Sequence, residues 1–584
     1  MKNTNNENRA NIVDICFDEN NAVLLYGASR EKAPLLIYYE DIIVDSYKWF
    51  DGNGFILRLS KKAIHENKGG DISLRWSYKT EKIHFNLHDI FAFDAINSNV
   101  RWKRYMGKGI FYLKNVGLIK TVDTVCSYLT SKMGNIDYNK WLQRQKLRST
   151  KSVKDVAVRS YSLFNYTNND RVYAFFEKKI NLYIDEWKNS TLKMPSVIYF
   201  DEDEFFYDEK DQIKFHNPIF KPDFDKYLLE NDRYLKSLIL ISESKIDEFK
   251  RDPYSFFLHQ GKKDSILHIP EVVFHRYSDS NISTREQITE KQVTAQVKDC
   301  FGVDIKAMVS ILIPNKDHIK DLDRCIKSLI NRSSYDNFEI IIIENNSEKK
   351  ETFDYYDKIG KYPFVKVINY KGKFNYSAIN NKGVKAANGE YLLLLNNDTE
   401  IIKSDSISEL LKIAQCDDVG AVGAKLLYPN NTIQHAGVYI GVNGIADHVW
   451  KGYPSNAFVN MNLLNITHQV SAITGACLMV KKSLFDKFGG LNENLEVAFN
   501  DIDFCLRLQE AGYKNIYTPG AVLTHYESVS RGADLTPEKW RRFRRETGYM
   551  RARWNRILTE GDPFYNSNLT CIGTEGTLKK RYED

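Results

Sequence analysis

From about residue 300 onward the chain alternates short, almost wholly apolar runs with amphipathic stretches, and no other feature restricts its folding as much. Val309–Ile313, Glu339–Ile343, Val365–Asn369 and Tyr391–Leu395 have the length of strands, while Leu322–Ile330 and Ser377–Ala387 carry helical periodicity. A strand that is apolar on both faces must be covered on both, and helical connections make neighbouring strands parallel. The expected fold is α/β, built on a mostly parallel sheet. Ligands of such sheets sit beyond the carboxyl ends of the strands, so the residues just after each run carry the functional information.

Those residues are polar in every case. The first strand ends in Pro314-Asn315-Lys316-Asp317, the second in Glu344-Asn345-Asn346-Ser347 and the fourth in Asn396-Asn397-Asp398-Thr399-Glu400. Glu344 can accept hydrogen bonds from a base or ribose, and Asp398 can hold a hard divalent cation that grips a diphosphate. Asn500-Asp501-Ile502-Asp503 precedes a helical run, Phe504–Glu510, and Leu523-Thr524-His525 closes another short strand. Each also has a plainer reading. An aspartate after a strand is commonly a turn residue, Asp501 reads equally well as a helix N-cap, and a lone histidine is commonly structural. Order and spacing together give the set its meaning.

The stretches VSILIPNKD, EIIIIENNS, FNYSAINNKGVKAANGEYLLLLNNDTE, TGACLMVKKSLFDKFGGLNE, FNDIDFCLRLQEAGY and LTHYESVSRG resemble, in order, the family 2 glycosyltransferases of the GT-A fold. The resemblance is strongest to the bacterial branch that builds O-antigens, rhamnose-rich wall polymers and related surface glycans. It implies that Pro314 and Asp317 lie on the first nucleotide loop, that Glu344 and Asn346 face the base or ribose, and that Asn375 and Asn381 approach the nucleotide. Asn396-Asn397-Asp398 occupies the D-x-D position, with Asp398 and His525 binding Mn²⁺ or Mg²⁺. Gly475 and Ala476 lie under the donor sugar, and Asp501 is the catalytic base. Trp450, Asp503, Arg531 and Arg541 are candidates for contact with acceptor or diphosphate. Two acids of the family pattern are replaced, by Asn396 and Asn500, which lowers the negative charge of the metal site.

The implied activity is inverting transfer of a hexosyl or deoxyhexosyl unit from a UDP-sugar or dTDP-rhamnose to a glycan acceptor that is lipid-linked, polymeric or on a glycoprotein. A catalytically inactive glycan-binding scaffold is the alternative from another class. A sugar nucleotidyltransferase would need a glycine-rich phosphate loop, and PNKDHIKD has no glycine.

With 584 residues the chain should divide into about two to four domains. Residues 1–120 read as a β-rich sandwich or barrel that serves acceptor binding or oligomerisation, with runs at Ala22–Tyr26, Leu35–Tyr39, Gly54–Leu59, Asp71–Ser77 and Ile110–Leu113. Residues 121–300 read as a helical linker, with amphipathic stretches at Tyr138–Lys146 and Ala174–Trp187, followed by a degenerate GT-A-like remnant. There VIYFDEDEF, ILISESKIDEF and ILHIPEVVFHRYS parallel later segments, setting Asp203, Asp252 and His275 opposite Asp398, Asp501 and His525. Residues 301–584 are the catalytic domain, ending in a basic helix. Within Lys539–Arg556, Trp540, Phe543, Met550 and Trp554 should pack inward, and Arg541, Arg542, Arg544 and Arg545 are available to a diphosphate or an anionic lipid carrier.

A net charge of +6, spread along the chain, gives no argument for nucleic-acid binding. The eight cysteines lack metal-knuckle spacing and read as reduced thiols. The polar N-terminus lacks a signal-peptide core and no apolar run is long enough to span a membrane. These features suggest a cytoplasmic enzyme, free or peripheral on the inner face of the membrane, as a monomer or homo-oligomer.

Overall fold

The computed structural model describes residues 305–526, 537–571 and 576–579, residues 195–277 with short breaks, and strand segments between 11 and 175. Near the N-terminus, β1 (Asn11–Phe17), β2 (Val23–Ala28) and β3 (Gly54–Leu59) pair antiparallel. Leu36–Tyr39, Ile42–Ile43, Gly70–Arg75 and Thr80–Phe85 form a second antiparallel sheet. The β-rich expectation is met here, while Ile110–Leu113 and Tyr138–Lys146 lie outside the described residues. The helix expected to begin at Ala174 meets a strand instead. Val172–Phe175 pairs with Ile266–Tyr277, and its valine, tyrosine and phenylalanine suit a pleated surface better than a helix.

In the middle region β4 (Val197–Tyr207) lies between β5 (Leu238–Ser242), antiparallel, and β6 (Ile266–Tyr277), parallel. Asp203 and His275 are cross-strand partners whose buried side chains are bonded to each other. Asp252 is elsewhere, capping the helix Pro253–Lys262.

From residue 309 onward the chain is built on a ten-stranded sheet. Its main path runs through β7 (Val309–Asn315), β8 (Phe338–Glu344), β9 (Val365–Asn369), β10 (Tyr391–Leu395), β11 (Thr399–Ile401), β12 (Val419–Leu427), β13 (Cys477–Lys481) and β14 (Lys514–His525). Their order is β9-β8-β7-β10-β13-β12-β14-β11. The first four are mutually parallel, β13 runs against β10 and β12, and β12 and β14 are again parallel. Helices α1 (Ile319–Arg332), α2 (Lys350–Ile359), α3 (Tyr376–Lys385), α4 (Ser406–Ala414) and α5 (Asn500–Glu510) connect and cover them. Ile340, Ile341, Ile342 and Ile343 are all fully buried and divide between two cores. This is the two-sided burial that the apolar runs require.

One core joins the middle region to the catalytic sheet, running from Tyr199 and Leu228 through Tyr439 and Ile473. Polar ties cross the same junction. Asp225 accepts from the Gln469 amide at 2.7 Å, and Asp201 accepts from the side chains of Asn566 and Asn568. Cys325, Cys477, Cys505 and Cys571 are free thiols, as expected, whereas Cys416 is disulfide-bonded. No described helix is long and apolar enough to cross a membrane.

The C-terminal helix α6 (Pro537–Arg553) docks on the N-terminal sheet. Arg544 donates to the Ile15 carbonyl at 3.1 Å, and the Phe50 and Tyr549 rings meet edge to face at 5.4 Å. Gly54 leaves no room at this contact: a Cβ there would stand 1.7 Å from the Ala552 carbonyl oxygen. Gly54→Val should therefore lift the sheet off α6, at a cost of roughly 1–3 kcal/mol. Limited proteolysis of the full chain should then show faster cleavage within residues 1–90, and an unchanged cleavage pattern would refute the contact.

Candidate functional site

Because the interiors of β8 and β10 are almost wholly apolar, polar groups accumulate where these strands stop. At the end of β7, Asn315 donates to the Tyr356 hydroxyl at 2.8 Å and accepts from Asn397 at 2.6 Å, joining the first and fourth strand ends. Asp317, at φ +58°, turns back onto the second loop. Its carboxylate accepts from the Glu348 and Lys349 amides and from the Thr352 hydroxyl. Burial alone would raise the pKa of Asp317, but the Lys349 amide, the Thr352 hydroxyl and the Glu348 amide outweigh it and hold the carboxyl below its ordinary value. Glu344 is buried and fully engaged by the Ser347 amide and hydroxyl and the Tyr356 hydroxyl. It fixes the shape of the loop from beneath, and of the two residues that follow, both bordering the cavity, Asn345 is buried and Asn346 is exposed.

Strand β11 pairs with β14 so that Thr399 stands opposite His525, which brings Asp398 to the same point. Asp398 Oδ1 lies 3.2 Å from His525 Nε2, and Asn396 Nδ2 lies 3.4 Å from that nitrogen. Both Asp398 and His525 are about 5% exposed, and His525 Nδ1 is buried without a hydrogen-bond partner. A separation near 3 Å is about that of adjacent ligands on an octahedral ion, so an oxygen and an imidazole nitrogen placed this way fit a hard divalent cation. Among the described residues no group of three or more such ligands stands together, so water and phosphate oxygens would complete the shell. Behind His525, His435 and His448 are joined Nδ1 to Nδ1 at 2.8 Å. Burial pushes both rings well below the usual imidazole value, His448 to about 3, so both are neutral near pH 7.

Asp501 lies in the first turn of α5, after Phe499 at φ +64°. Asp501 Oδ2 accepts from the Gly475 amide at 2.7 Å, and the next carbonyl, that of Ala476, accepts from the Asn396 amide at 3.1 Å. The Asp501 turn and the Asp398 loop are thus two hydrogen bonds apart. The Tyr376 hydroxyl secures the bridge by donating to the Gly475 carbonyl at 2.7 Å. A side chain at Gly475 would crowd that hydroxyl, its Cβ falling 3.0 Å away.

A cavity of about 510 Å³ opens at these strand ends. Of the expected nucleotide and metal residues, Pro314, Asp317, Asn346, Asn396, Asn397 and Asp398 line it. Glu344, Asn375, Asn381, Gly475, Ala476, His525 and Asp501 are not among its lining residues; His525 and Asp501 reach it through Asp398 and through the Gly475–Ala476 bridge. Asn375 caps α3 and donates to the Glu493 carbonyl at 2.8 Å, while Asn381 exchanges bonds with Leu491. Both therefore pin α3 to the segment leading into Asp501.

The residues expected at the acceptor or diphosphate divide differently. Trp450 is 4% exposed and packs edge-on against Tyr439, so it fills the core and has no face for a sugar. Asp503 is buried between Arg507 and the Trp554 indole, a structural ion pair. Arg541 is exposed and lies off the cavity wall; its neighbour Arg542, with Lys539, lines that wall. Arg531 lies outside the described residues.

Sequence comparison bears directly on this site. The family model "Glycosyl transferase family 2" matches residues 310–489, which span β7, the Asp398 loop and β13. Residues 310–489 form a family 2 glycosyltransferase domain. The uncharacterized protein y4gI of Sinorhizobium fredii is 46% identical over 264 residues, covering 45% of this chain and 29% of that protein. The O-antigen biosynthesis protein RfbC of Myxococcus xanthus is 31% identical over 405 residues, 63% of this chain and 31% of its own length. The chain thus spans under a third of each of these relatives. A solved structure, GalNAc-T7 with UDP, GalNAc and Mn²⁺, aligns over 43% of this chain and 44% of its own at 15% identity, with a TM-score of 0.32.

The cationic lining is denser than the strand-end motifs suggest: Lys316 and Lys349 join Lys539 and Arg542. Phe374, about half exposed, and Tyr376 supply aromatic surface. Lys349 carries no motif of its own, and only its place directly after a strand-end loop could have flagged it; Phe374 opens the FNYSAINN stretch.

The Asp317 clasp has a pH signature. With its folded pKa depressed, Asp317 contributes stability that is present above the ordinary carboxylate value and is lost as pH falls through the lowered one. Thermal denaturation should show Asp317→Asn melting below the wild type at pH 7, with the gap closing in acid. A gap that is constant with pH would exclude the clasp.

Proposed function

We propose that residues 306–568 transfer a hexosyl or deoxyhexosyl unit from a UDP- or dTDP-linked sugar to a hydroxyl of a glycan acceptor, with inversion, in bacterial surface-polysaccharide or glycoprotein-glycan assembly. The observation that carries this reading is the Asn396–Ala476 and Gly475–Asp501 pair of bonds, which ties a carboxylate–imidazole pair and a second carboxylate to one polar, cationic cavity. A volume of about 510 Å³ suits a nucleotide-sized ligand. The name of RfbC, an O-antigen biosynthesis protein, supports the acceptor class.

Asp501 is the general base that removes the proton from the attacking hydroxyl. The Gly475 amide orients its carboxylate, and the helix N-terminus favours its ionised form. Asp398 and His525 hold Mn²⁺ or Mg²⁺, with Asn396 beside them. When bound, that ion supplies neutralisation of the charge gathering on the departing diphosphate. Lys539 and Arg542 place positive charge on the same wall. The carboxylates that line the cavity are Asp317, held by the second loop, and Asp398, assigned to the cation, so neither is left to form a sugar ester and a single in-line displacement accounts for the set.

The test is a panel of nucleotide sugars with Mn²⁺ or Mg²⁺, scoring hydrolysis and transfer. Asp501→Asn should lower kcat by roughly 10²–10⁴-fold with nucleotide binding retained. Asp398→Ala should abolish the response to added metal. Full transferase activity in Asp501→Asn would remove the base assignment, and metal-independent turnover would remove the cation.

A further inference from the structure

Glu546 is a buried acid that none of the steps above uses. It lies in the middle of α6, 1% exposed, and its carboxylate accepts two consecutive backbone amides, Val497 at 2.9 Å and Ala498 at 3.1 Å. Val497 is itself part of the cavity wall. Directly after these amides come Phe499, at φ +64° with a side chain that makes this conformation unfavourable, then Asn500 and Asp501.

The rest of the segment is held at its edges. The Glu496 carbonyl accepts from the Tyr376 amide at 2.7 Å and the Leu495 carbonyl from the Ser377 hydroxyl at 2.7 Å. The Asn500 side chain donates to Leu495 and Val497 carbonyls, at 3.4 and 3.3 Å. Helix α6 adds two contacts of its own, Phe543 against Phe499 at 5.8 Å and Arg545 on Glu496 at 3.2 Å, and Trp554, just past its end, donates to Asp503 at 3.0 Å. Glu546 alone takes the two amides that point toward α6 just before the left-handed turn. Without an acceptor, two partly buried N–H groups would be left next to a strained residue, and the turn that aims Asp501 would relax.

We propose that Glu546 is a positioning residue for the transferase site, its carboxylate holding the Val497–Ala498 amides so that the Phe499 turn presents Asp501 to the acceptor. This rests on the assignment of Asp501 as the base. The grip is also sensitive to protonation. Burial pushes the Glu546 carboxyl up to about 7, against the lowering pull of the Val497 and Ala498 amides. The charged groups facing it are Arg542 on its own helix, 3.8 Å away, and Glu496 on the loop, itself paired with Arg545. Protonation puts a hydrogen on an oxygen that an N–H already occupies, so the two-amide grip is complete above about pH 7 and weakens below it. The sign for stability is the reverse: a raised folded pKa means the fold favours the acid form, and ionisation costs stability as pH rises through that value.

The experiment uses the full chain with Mn²⁺ and has two arms. In the first, hydrogen–deuterium exchange of the 495–501 segment is followed in wild type from pH 6 to 8.5, corrected for intrinsic exchange. Protection should fall as pH drops below about 7, and in Glu546→Gln it should be low and independent of pH. Wild-type protection that is constant across this range overturns the proposal without recourse to any variant. In the second arm, with whichever nucleotide sugar the wild type turns over, Glu546→Gln should lower kcat about tenfold, leave the donor KM within about twofold, and lose the rise in kcat through pH 7. A variant matching wild type in kcat and pH profile overturns the proposal. If the wild type turns over no nucleotide sugar, the transferase reading fails, and the exchange arm still decides whether Glu546 holds the turn.

Discussion

Exclusion of polar groups from a sheet covered on both faces governs the arrangement of the whole catalytic region. Leu392, Leu394, Ile341 and Ile343 admit no neighbour that needs a hydrogen bond, so every side chain able to do chemistry is displaced to where a strand ends. Parallel order then sets those ends side by side. Asn315, Asn345 and Asn397 come from different strands, yet they face one cavity because β7, β8 and β10 point the same way. The carboxylate and imidazole of Asp398 and His525 meet for a related reason: the short β11 reverses onto the end of β14.

The strands were legible because two-sided burial writes itself as uninterrupted apolar residues. Tyr391–Leu395, buried at every position, has the boundaries that its apolar run predicts. The Asp398–His525 meeting was legible through the resemblance, and so was the position of Asp501 at the start of a helix. Roles were harder to read than positions. Asn375 and Asn381 look like ligand-facing amides, but their partners are backbone groups of Leu491 and Glu493, more than a hundred residues later. Trp450 has the composition of a sugar platform; its burial depends on Tyr439 and on the close approach of Gly576, neither of which a local pattern reveals. Glu546 sits in a run of arginines that reads as a solvated basic face, and only the return of the 497–498 backbone to α6 shows what the acid is for.

The middle region repeats one element of this design with a different surrounding. Asp203 and His275 meet as Asp398 and His525 do, but on directly parallel strands, in a fully buried setting. Nearby, Asp201 is saturated by His268, the Lys221 amide, Asn566 and Asn568. Carboxylates that elsewhere line a cavity serve here to fasten one sheet to the remainder of the chain, which is how a polar strand end can persist once it is enclosed.

The donors to Asp201 have a consequence for the order of assembly. Asn566 lies 365 positions further along the chain, and Asp562 similarly supplies an acceptor to the Ile440 amide at 2.5 Å. During synthesis the middle sheet emerges long before either asparagine exists, so its buried aspartate must wait, solvated or provisionally paired, through translation of the entire transferase domain. Loop-closure entropy makes so distant a contact slow to form. The seam between the two sheets therefore cannot close before residues 562–568 have been made.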